Sequence, residues 1–507
     1  MSTVELNDPF TGEWTCFLET NYIYDGRTLI DDSMCDEIMC MKVNGKYYRR
    51  ILADDKVNVK WFGAKGDGDI NDNGTIPNTD NQAFLDAITS LSKVFPIHYM
   101  TPSDELLKKN PVFGGFTLYI PNGKYLLSDS LVLPHFTTLL GESKKGVVIH
   151  QIVNSEHLTP RANVTNITGM APNGVDVLMS ESIVIKNITF SQGGIILQGA
   201  HDSIIDDVTV TRLLGDTTDN YNNKTSTGLS IKLAVNLKIS NFKVSGSSGT
   251  GIVYEDSAGS GPSTTVTFRN IWMSHCKTGM LINGLLTESH AIQTSWIQNS
   301  IFEYNETGVE IKGITQNLSF RDIHFEQNKY YALKASESAS FSLENIWADG
   351  WISTLQNNND FLIQYNASLT SNNIVHLKNL FIKSGILIQD DYEGHVYVDG
   401  FINDLKYYDQ NIKIYKTFDD IGDINKRPFA PIAGYNFYNT SDSKPEFFDG
   451  GSWRDADGMN ADIKRSGTTL ERPSSNLDTG FRYFDSSLGM PIFWEGTKWV
   501  KSDGTNA

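Results

Sequence analysis

The chain has 507 residues, 39% hydrophobic and 20% charged, a balance that excludes a disordered protein. Lys and Arg number 42 against 60 Asp and Glu, giving a net charge of −18. A surface that acidic excludes sequence-independent nucleic-acid binding and charge-driven adhesion to an anionic membrane.

Residues 1–56 read as an N-terminal arm or small module, with an alternating stretch ending at Lys46 to Arg50. The segment opens without a basic or apolar leader, and no apolar run in the chain approaches the ~20 residues of a membrane span. Cys16, Cys35, Cys40 and Cys276 are too few for a disulfide framework, and Cys35 and Cys40 have the wrong spacing for a zinc knuckle, so all four read as reduced thiols. Val57 to Gly68 reads as a strand running into a glycine turn. The loop 69–80 fits a calcium-loop pattern, with Asp80 at its twelfth position. A strand precedes it, which excludes an EF-hand, and a simple turn ending in a helix cap at Thr79 and Asp80 also explains it. Ca2+ there is the one cofactor the sequence leaves open, and no other metal site is expected. Phe84, Ala87, Ile88, Leu91, Val94 and Phe95 follow at helical spacing, so this helix must bury one apolar face. Gly115 to Leu126 and Ser130 to Leu133 read as strands.

From residue 183 one unit repeats: Asn or Asp, apolar, variable, apolar, variable. It opens at Asn187, Asp207, Asn241, Asn270, Asn299, Asp322, Asn345 and Asn379, at spacings of 20, 34, 29, 29, 23, 23 and 34 residues. A second strand opened by glycine follows at Gly194, Gly228, Gly251, Gly279 and Gly308. Variable length around a fixed strand pattern means one coil per repeat, with insertions confined to loops. Period-2 strands with no helices between them predict an all-β fold, a parallel β-helix. The helix near 80–95 then covers the open end of the stack, where unpaired edges invite association. Ile188, Phe190, Phe242, Val244, Ile271, Met273, Phe302, Ile323, Phe325 and Ile346 are the expected inward positions.

The C-terminal part carries a second repeat. Gly434, Pro445, Gly450, Trp453, Asp457 and Gly458 recur 46 residues on as Gly480, Pro491, Gly496, Trp499, Asp503 and Gly504. Two small β modules are expected, at 413–460 and 461–507, each too small to hold a core alone.

Phe62 to Gly68, Asn78 to Ile88 and Pro121 to Tyr125 together resemble the entry region of the pectate-lyase-like right-handed β-helix superfamily. That superfamily includes polysaccharide lyases, glycoside hydrolases and many bacteriophage tailspikes. Gly480 to Val500 resembles the terminal module of tail proteins from gut-bacterium phages. The resemblance implies a right-handed, single-stranded β-helix shaft over 57–412 in a homotrimeric virion tailspike. Such a protein binds, and depolymerises, a bacterial surface polysaccharide during host attachment, as a glycoside hydrolase or polysaccharide lyase. It would meet other tail proteins through residues 1–56 and reside in the virion tail, after synthesis in the host cytoplasm without a signal peptide. A receptor-binding or structural tail protein of the same fold without catalysis is the alternative. A cellular polysaccharide-degrading enzyme is a third reading, and the missing export signal counts against it. Neither nucleic acid nor membrane is an expected partner.

The coil alignment places candidate chemistry. In each unit the apolar pair points inward and the variable residues outward, and stacked coils bring equivalent positions to about 4.8 Å. One outward column contains Trp272, His324 and Trp347, the candidate glycan-binding residues. The next contains Glu303, Glu326 and Asp349 on consecutive coils, the candidate catalytic acids. Like charges so close favour retention of a proton by one of them, which sets an acid beside a base. Adjacent members approach the ~5 Å carboxyl separation of retaining glycosidases, and Glu303 and Asp349 the upper end of the inverting range. A solvated acidic strip is the bland alternative. Asp206 and Asp207 are better read as a turn ladder, and His201, Asp202 and His275 as turn or surface residues. Serine-hydrolase, zincin and nucleotide-binding motifs are missing.

Overall fold

The computed structural model describes residues 2–507 except 53, 69–78, 98–111, 114, 129–130, 132, 134–135, 152–167, 171–175, 179, 192, 212–226, 257–262, 285–291, 337–338, 350–360, 364–372, 383–385, 389–393, 403–404, 408–412, 417–419, 423–426, 428–432, 434, 440–443, 456–460, 462, 476 and 478. Most of the calcium-like loop lies outside the described residues. Met1–Val375, Leu380–Gly394 and Ile402–Ile412 form one compact unit; His376–Asn379, His395–Phe401 and Lys413–Ala507 form a second.

The first four strands, β1 (Thr3–Asn7), β2 (Trp14–Glu19), β3 (Cys40–Val43) and β4 (Lys46–Arg50), make an antiparallel sheet in the order β1-β2-β4-β3. Phe17, Met41 and Tyr48 form its core. Arg50 is buried, pairs with Asp8 at 2.9 Å and lies 3.6 Å over the Trp61 ring. The Tyr24 ring stacks on Phe95 at 4.5 Å, and Ser90 donates to Asp36. The module is thereby seated on the helix α1 (Asn81–Val94) and on the entry to the coils.

Local chemistry shortens the expected strand at 57–68. Only Lys56–Asn58 is strand, pairing in parallel with Thr117–Ile120. Asn58 Oδ1 accepts the Lys60 amide at 2.9 Å and starts a 3-10 turn over Val59–Phe62, which Gly63 ends at φ 92°. α1 buries Phe84, Ala87, Ile88, Leu91 and Val94, the expected face. Asp80, expected to cap α1, makes no side-chain cap. Its carboxylate accepts instead from the amides of Lys65 (2.7 Å), Gly66 (3.3 Å) and Leu126 (3.0 Å). Charge-assisted bonds to three donors from two segments satisfy more backbone groups than one helix-end bond. Gly66, at φ 63°, lies on the Tyr125 ring, where a Cβ would come within 2.7 Å. Phe84 meets the same ring edge-on at 5.7 Å. The three entry motifs therefore converge on Tyr125.

Beyond the entry, parallel pairing continues coil by coil through the first unit, and His395–Val398 pairs in parallel with Lys413–Lys416 within the second. This is a parallel β-helix, as the repeat predicts. All ten expected inward residues are no more than 2% exposed. The Asn or Asp that opens each of the eight units has φ between 50° and 59°. That left-handed conformation is one that Asn and Asp tolerate and β-branched residues resist, so the repeat marks where the strand turns a corner. The corner amides also bond between coils, as from Asn270 Nδ2 to Asn241 Oδ1 (3.2 Å) and from Asn345 Nδ2 to Asp322 Oδ1 (2.9 Å). The glycines that open the second strands stack too closely for a side chain: a Cβ on Gly279 would meet the Gly308 carbonyl at 2.5 Å.

The C-terminal repeat is also structural. Strands Asp420–Gly422, Asn436–Asn439, Lys444–Phe448 and Trp453–Asp455 form one four-stranded sheet; Ser466–Gly467, Arg482–Asp485, Met490–Trp494 and Trp499–Lys501 form another with the same pairing. Each sheet closes over its own small cluster, Phe437 with Trp453 and Phe481 with Tyr483 and Ile492. Among the described residues no helix is long and apolar enough to cross a membrane.

Two outcomes test this account. Asn270→Val should lower stability by about 1–2 kcal/mol in denaturant unfolding, whereas Asn270→Gly should be near neutral. His150 is buried beside Ser191, with Nδ1 3.2 Å from Oγ, and burial pushes its imidazole down to about 4. The unfolded chain then binds a proton that the folded one refuses. Stability should be fully present above pH ~6.5 and fall by up to about 3 kcal/mol as pH drops toward 4. His150→Gln should flatten that part of the pH–stability curve.

Candidate functional site

Four long strands carry the candidate site: Trp272–Asn283, Ile292–Glu303, Thr315–Glu326 and Ala339–Asp349. The last three turn an αL corner at the repeat Asn or Asp, and Asn270 makes the same corner just before the first; two outward positions follow on each. Parallel register places Ser274 beside Glu303, Glu303 beside Glu326, and Glu326 beside Asp349. The neighbouring column runs Lys243, Trp272, Ile301, His324, Trp347. The structure thus brings the three candidate acids onto consecutive coils, with His324 and Trp347 alongside. Trp272 lies one coil further on, separated from His324 by Ile301.

The contacts are specific. Trp272 is exposed, and its Nε1 donates to Glu303 Oε1 at 2.9 Å. Lys243 Nζ sits 3.4 Å from the Trp272 ring centroid, so one indole face is covered by a cation. His324 meets the Trp347 ring edge-on at 4.2 Å, and its Nε2 lies 3.6 Å from Glu326 Oε2. Glu303, Glu326 and Asp349 are all half-buried, open enough to meet a ligand.

Behind the acids the backbone is held from inside the coil. The residues after Ser274, Glu303 and Glu326, namely His275, Tyr304 and Gln327, are left-handed at φ 55°, 53° and 49°. The next residues turn inward. Buried Asn328 accepts the Asn305 amide on Oδ1 (3.2 Å) and donates from Nδ2 to the Phe302 carbonyl (2.8 Å), spanning the Glu303 corner. Asn305 does the same around Ser274, donating to the Met273 carbonyl at 3.1 Å and accepting the Cys276 amide at 2.9 Å. Burial pushes the Cys276 thiol up to about 12, so it serves as an apolar filler in that row.

His275, read from the sequence as a turn or surface residue, is an exposed corner residue. Its ring stacks on Tyr304 of the next coil at 5.2 Å, bordering the acids on the side opposite the indoles. The inter-coil alignment contains this pair, since the two residues follow Ser274 and Glu303, which are in register, but spacing alone does not say that their rings stack. Asp206 and Asp207 behave as the ladder reading expected. Asp206 accepts from Ser240 (2.7 Å) and Asn241 (2.9 Å), while Asp207 occupies the corner and pairs with Lys144. The aligned Lys383 lies outside the described residues. Among the described residues no cluster of His, Cys, Asp and Glu is arranged to hold a metal ion, and all four cysteines are free.

No curated protein matches the sequence. Among solved structures, the A-module of the mannuronan C-5 epimerase AlgE4 of Azotobacter vinelandii is similar at 16% identity and a TM-score of 0.46, over 72% of this chain and 100% of that one. The surface adhesin PfbA of Streptococcus pneumoniae matches at 14% identity and a TM-score of 0.45, over 79% and 98%. ORF18 of Geobacillus virus E2 matches at 14% identity and a TM-score of 0.40, over 100% and 94%. The family model "Rhamnogalacturonase A/epimerase, pectate lyase-like" matches residues 56–332, more than half of the sequence. The chain belongs to the rhamnogalacturonase A/epimerase, pectate lyase-like family.

Proposed function

We propose that the protein is a virion tailspike that binds and depolymerises a bacterial surface polysaccharide during host attachment. The observation that carries the catalytic part is the in-register column Glu303, Glu326, Asp349 beside Trp272, His324 and Trp347. Family membership supports a polysaccharide ligand, and the sequence resemblance of Gly480 to Val500 to phage tail modules supports the virion role. In this reading one carboxyl donates a proton to the glycosidic oxygen while a neighbour acts as base or nucleophile. Asn328 holds the backbone corner that aims Glu303. The homotrimer, the attachment of residues 1–56 to other tail proteins, and Ca2+ in the loop 69–80 belong to the same proposal.

The adhesion-only alternative draws on one contact. The Trp272 indole is bonded to Glu303, which engages that acid in positioning a sugar-stacking ring. Incubation with capsular polysaccharide separates the readings: new reducing ends without unsaturation mark a hydrolase, new reducing ends with unsaturated sugars a lyase, and neither an adhesin. Glu326→Gln keeps shape but removes the ionisable group. It should lower turnover by at least about 100-fold while glycan binding persists. Full depolymerase activity in that variant would remove the acids from the mechanism. In solution the indole N–H proton resonance of Trp272 should move upfield on Glu303→Ala and stay in place on Asp349→Ala. Sedimentation should find a trimer, and a stable species at the chain mass of 56.5 kDa would refute it.

A further inference from the structure

A second face of the same coils is built differently from the acidic column. Just before each repeat Asn or Asp, a four-residue strand segment is framed by another left-handed residue: Asn236, Thr265, Thr294 and Asn317, at φ 55°, 60°, 39° and 57°. Each segment buries two side chains and presents two outward. The outward columns run Lys238, Thr267, Trp296, Ser319 and Ser240, Arg269, Gln298, Arg321. None of these side chains is acidic, in a chain of net charge −18. Asp206 and Glu344 bound the face at its two ends.

Trp296 is half-buried at the centre, between the short side chains of Thr267 and Ser319. No described residue hydrogen-bonds its indole or packs a ring against it. Arg269 and Arg321 lie diagonally across from it, one coil to either side, within the reach of long side chains on adjacent strands. Arg269 is exposed and has no ion pair among the described residues. Among the described residues Arg321 has one ion contact, an exposed one with Asp322 at 3.4 Å that water screens, and Glu344 stands beside it in register on the next coil. Two coil steps set the guanidinium stems about 10 Å apart. That is close to the repeat of a disaccharide.

We infer that the Trp296–Arg269–Arg321 face is a binding surface for a uronic-acid-bearing glycan chain lying across the coils. A sugar ring covers the open indole, and carboxylates on alternate sugars take the two guanidiniums, whose planar forks suit bidentate pairing. Lys238 extends the positive track by one more coil. The inference deepens the proposed function by naming the ligand as anionic, and it rests on that reading for the polysaccharide class. The surface is separate from the acids: the Asn241, Asn270, Asn299 and Asp322 corners stand between them.

The test is calorimetric titration of the full-length protein with oligogalacturonate, oligomannuronate and neutral maltohexaose as probes. At least one uronate should bind, maltohexaose should not, and the affinity should fall as salt rises. Trp296→Ala should weaken the uronate at least tenfold, with Trp296→Phe recovering part of the loss. The pair Arg269→Gln and Arg321→Gln should weaken it as much and flatten the salt dependence. Thermal unfolding near that of the parent confirms that each variant is folded. No uronate binding, equal binding of the neutral probe, or parental affinity in both sets of variants would overturn the inference. Failure of the proposed catalysis would show separately, as full activity in Glu326→Gln, and would leave these affinities as measured.

Discussion

The left-handed corner is the constraint on which the coils depend. A parallel β-helix must turn its strand sharply without breaking the hydrogen-bond ladder to the coils on either side. One residue at positive φ accomplishes this, at a cost of roughly 1–2 kcal/mol unless that residue is Gly, Asn or Asp. The chain places Asn or Asp at all eight unit openings and lets their amides bond from coil to coil. Because every corner falls at the same point in the unit, the flanking positions stay in register. Columns of chemistry can exist only in that case.

Closing the stack poses a different problem, because the first coil has no coil before it. Here the solution is charge. The Asp80 carboxylate gathers three amides from the loop at Lys65 and Gly66 and from the strand at Leu126, drawing the entry motifs together around Tyr125. Over this, the N-terminal sheet contributes buried Arg50, held by Asp8 and by the Trp61 ring. A buried pair of this kind is weak evidence for stability but strongly sensitive to loss of one partner. It fixes how the module is seated.

The same corner that keeps register also divides the surface. On one side of the repeat Asn lies the acidic column with its indoles; on the other lies the face with Trp296 and two arginines. In the proposed function a long polysaccharide would be bound on one of these faces and acted on at the other. Binding energy gathered away from the reacting bond would then serve orientation at the acids.

Periodicity made much of this legible in the sequence. The repeat of Asn or Asp followed by apolar, variable, apolar determined the coils, the ten inward residues and the alignment of Glu303, Glu326 and Asp349, because a period-2 strand leaves no freedom about which side chains face the core. The 46-residue repeat likewise fixed two matching C-terminal sheets. What tertiary structure alone decided are contacts with no period. Asp80 was read as a helix cap, since the chain gives no sign that the amides of Lys65 and Leu126 converge on it from 15 residues before and 46 after. The stacking of His275 on Tyr304, the cover of Lys243 over Trp272 and the bond from Trp272 to Glu303 depend on rotamers chosen between coils 29 to 31 residues apart. Sequence pattern sets which column a residue joins; only packing sets what its side chain touches.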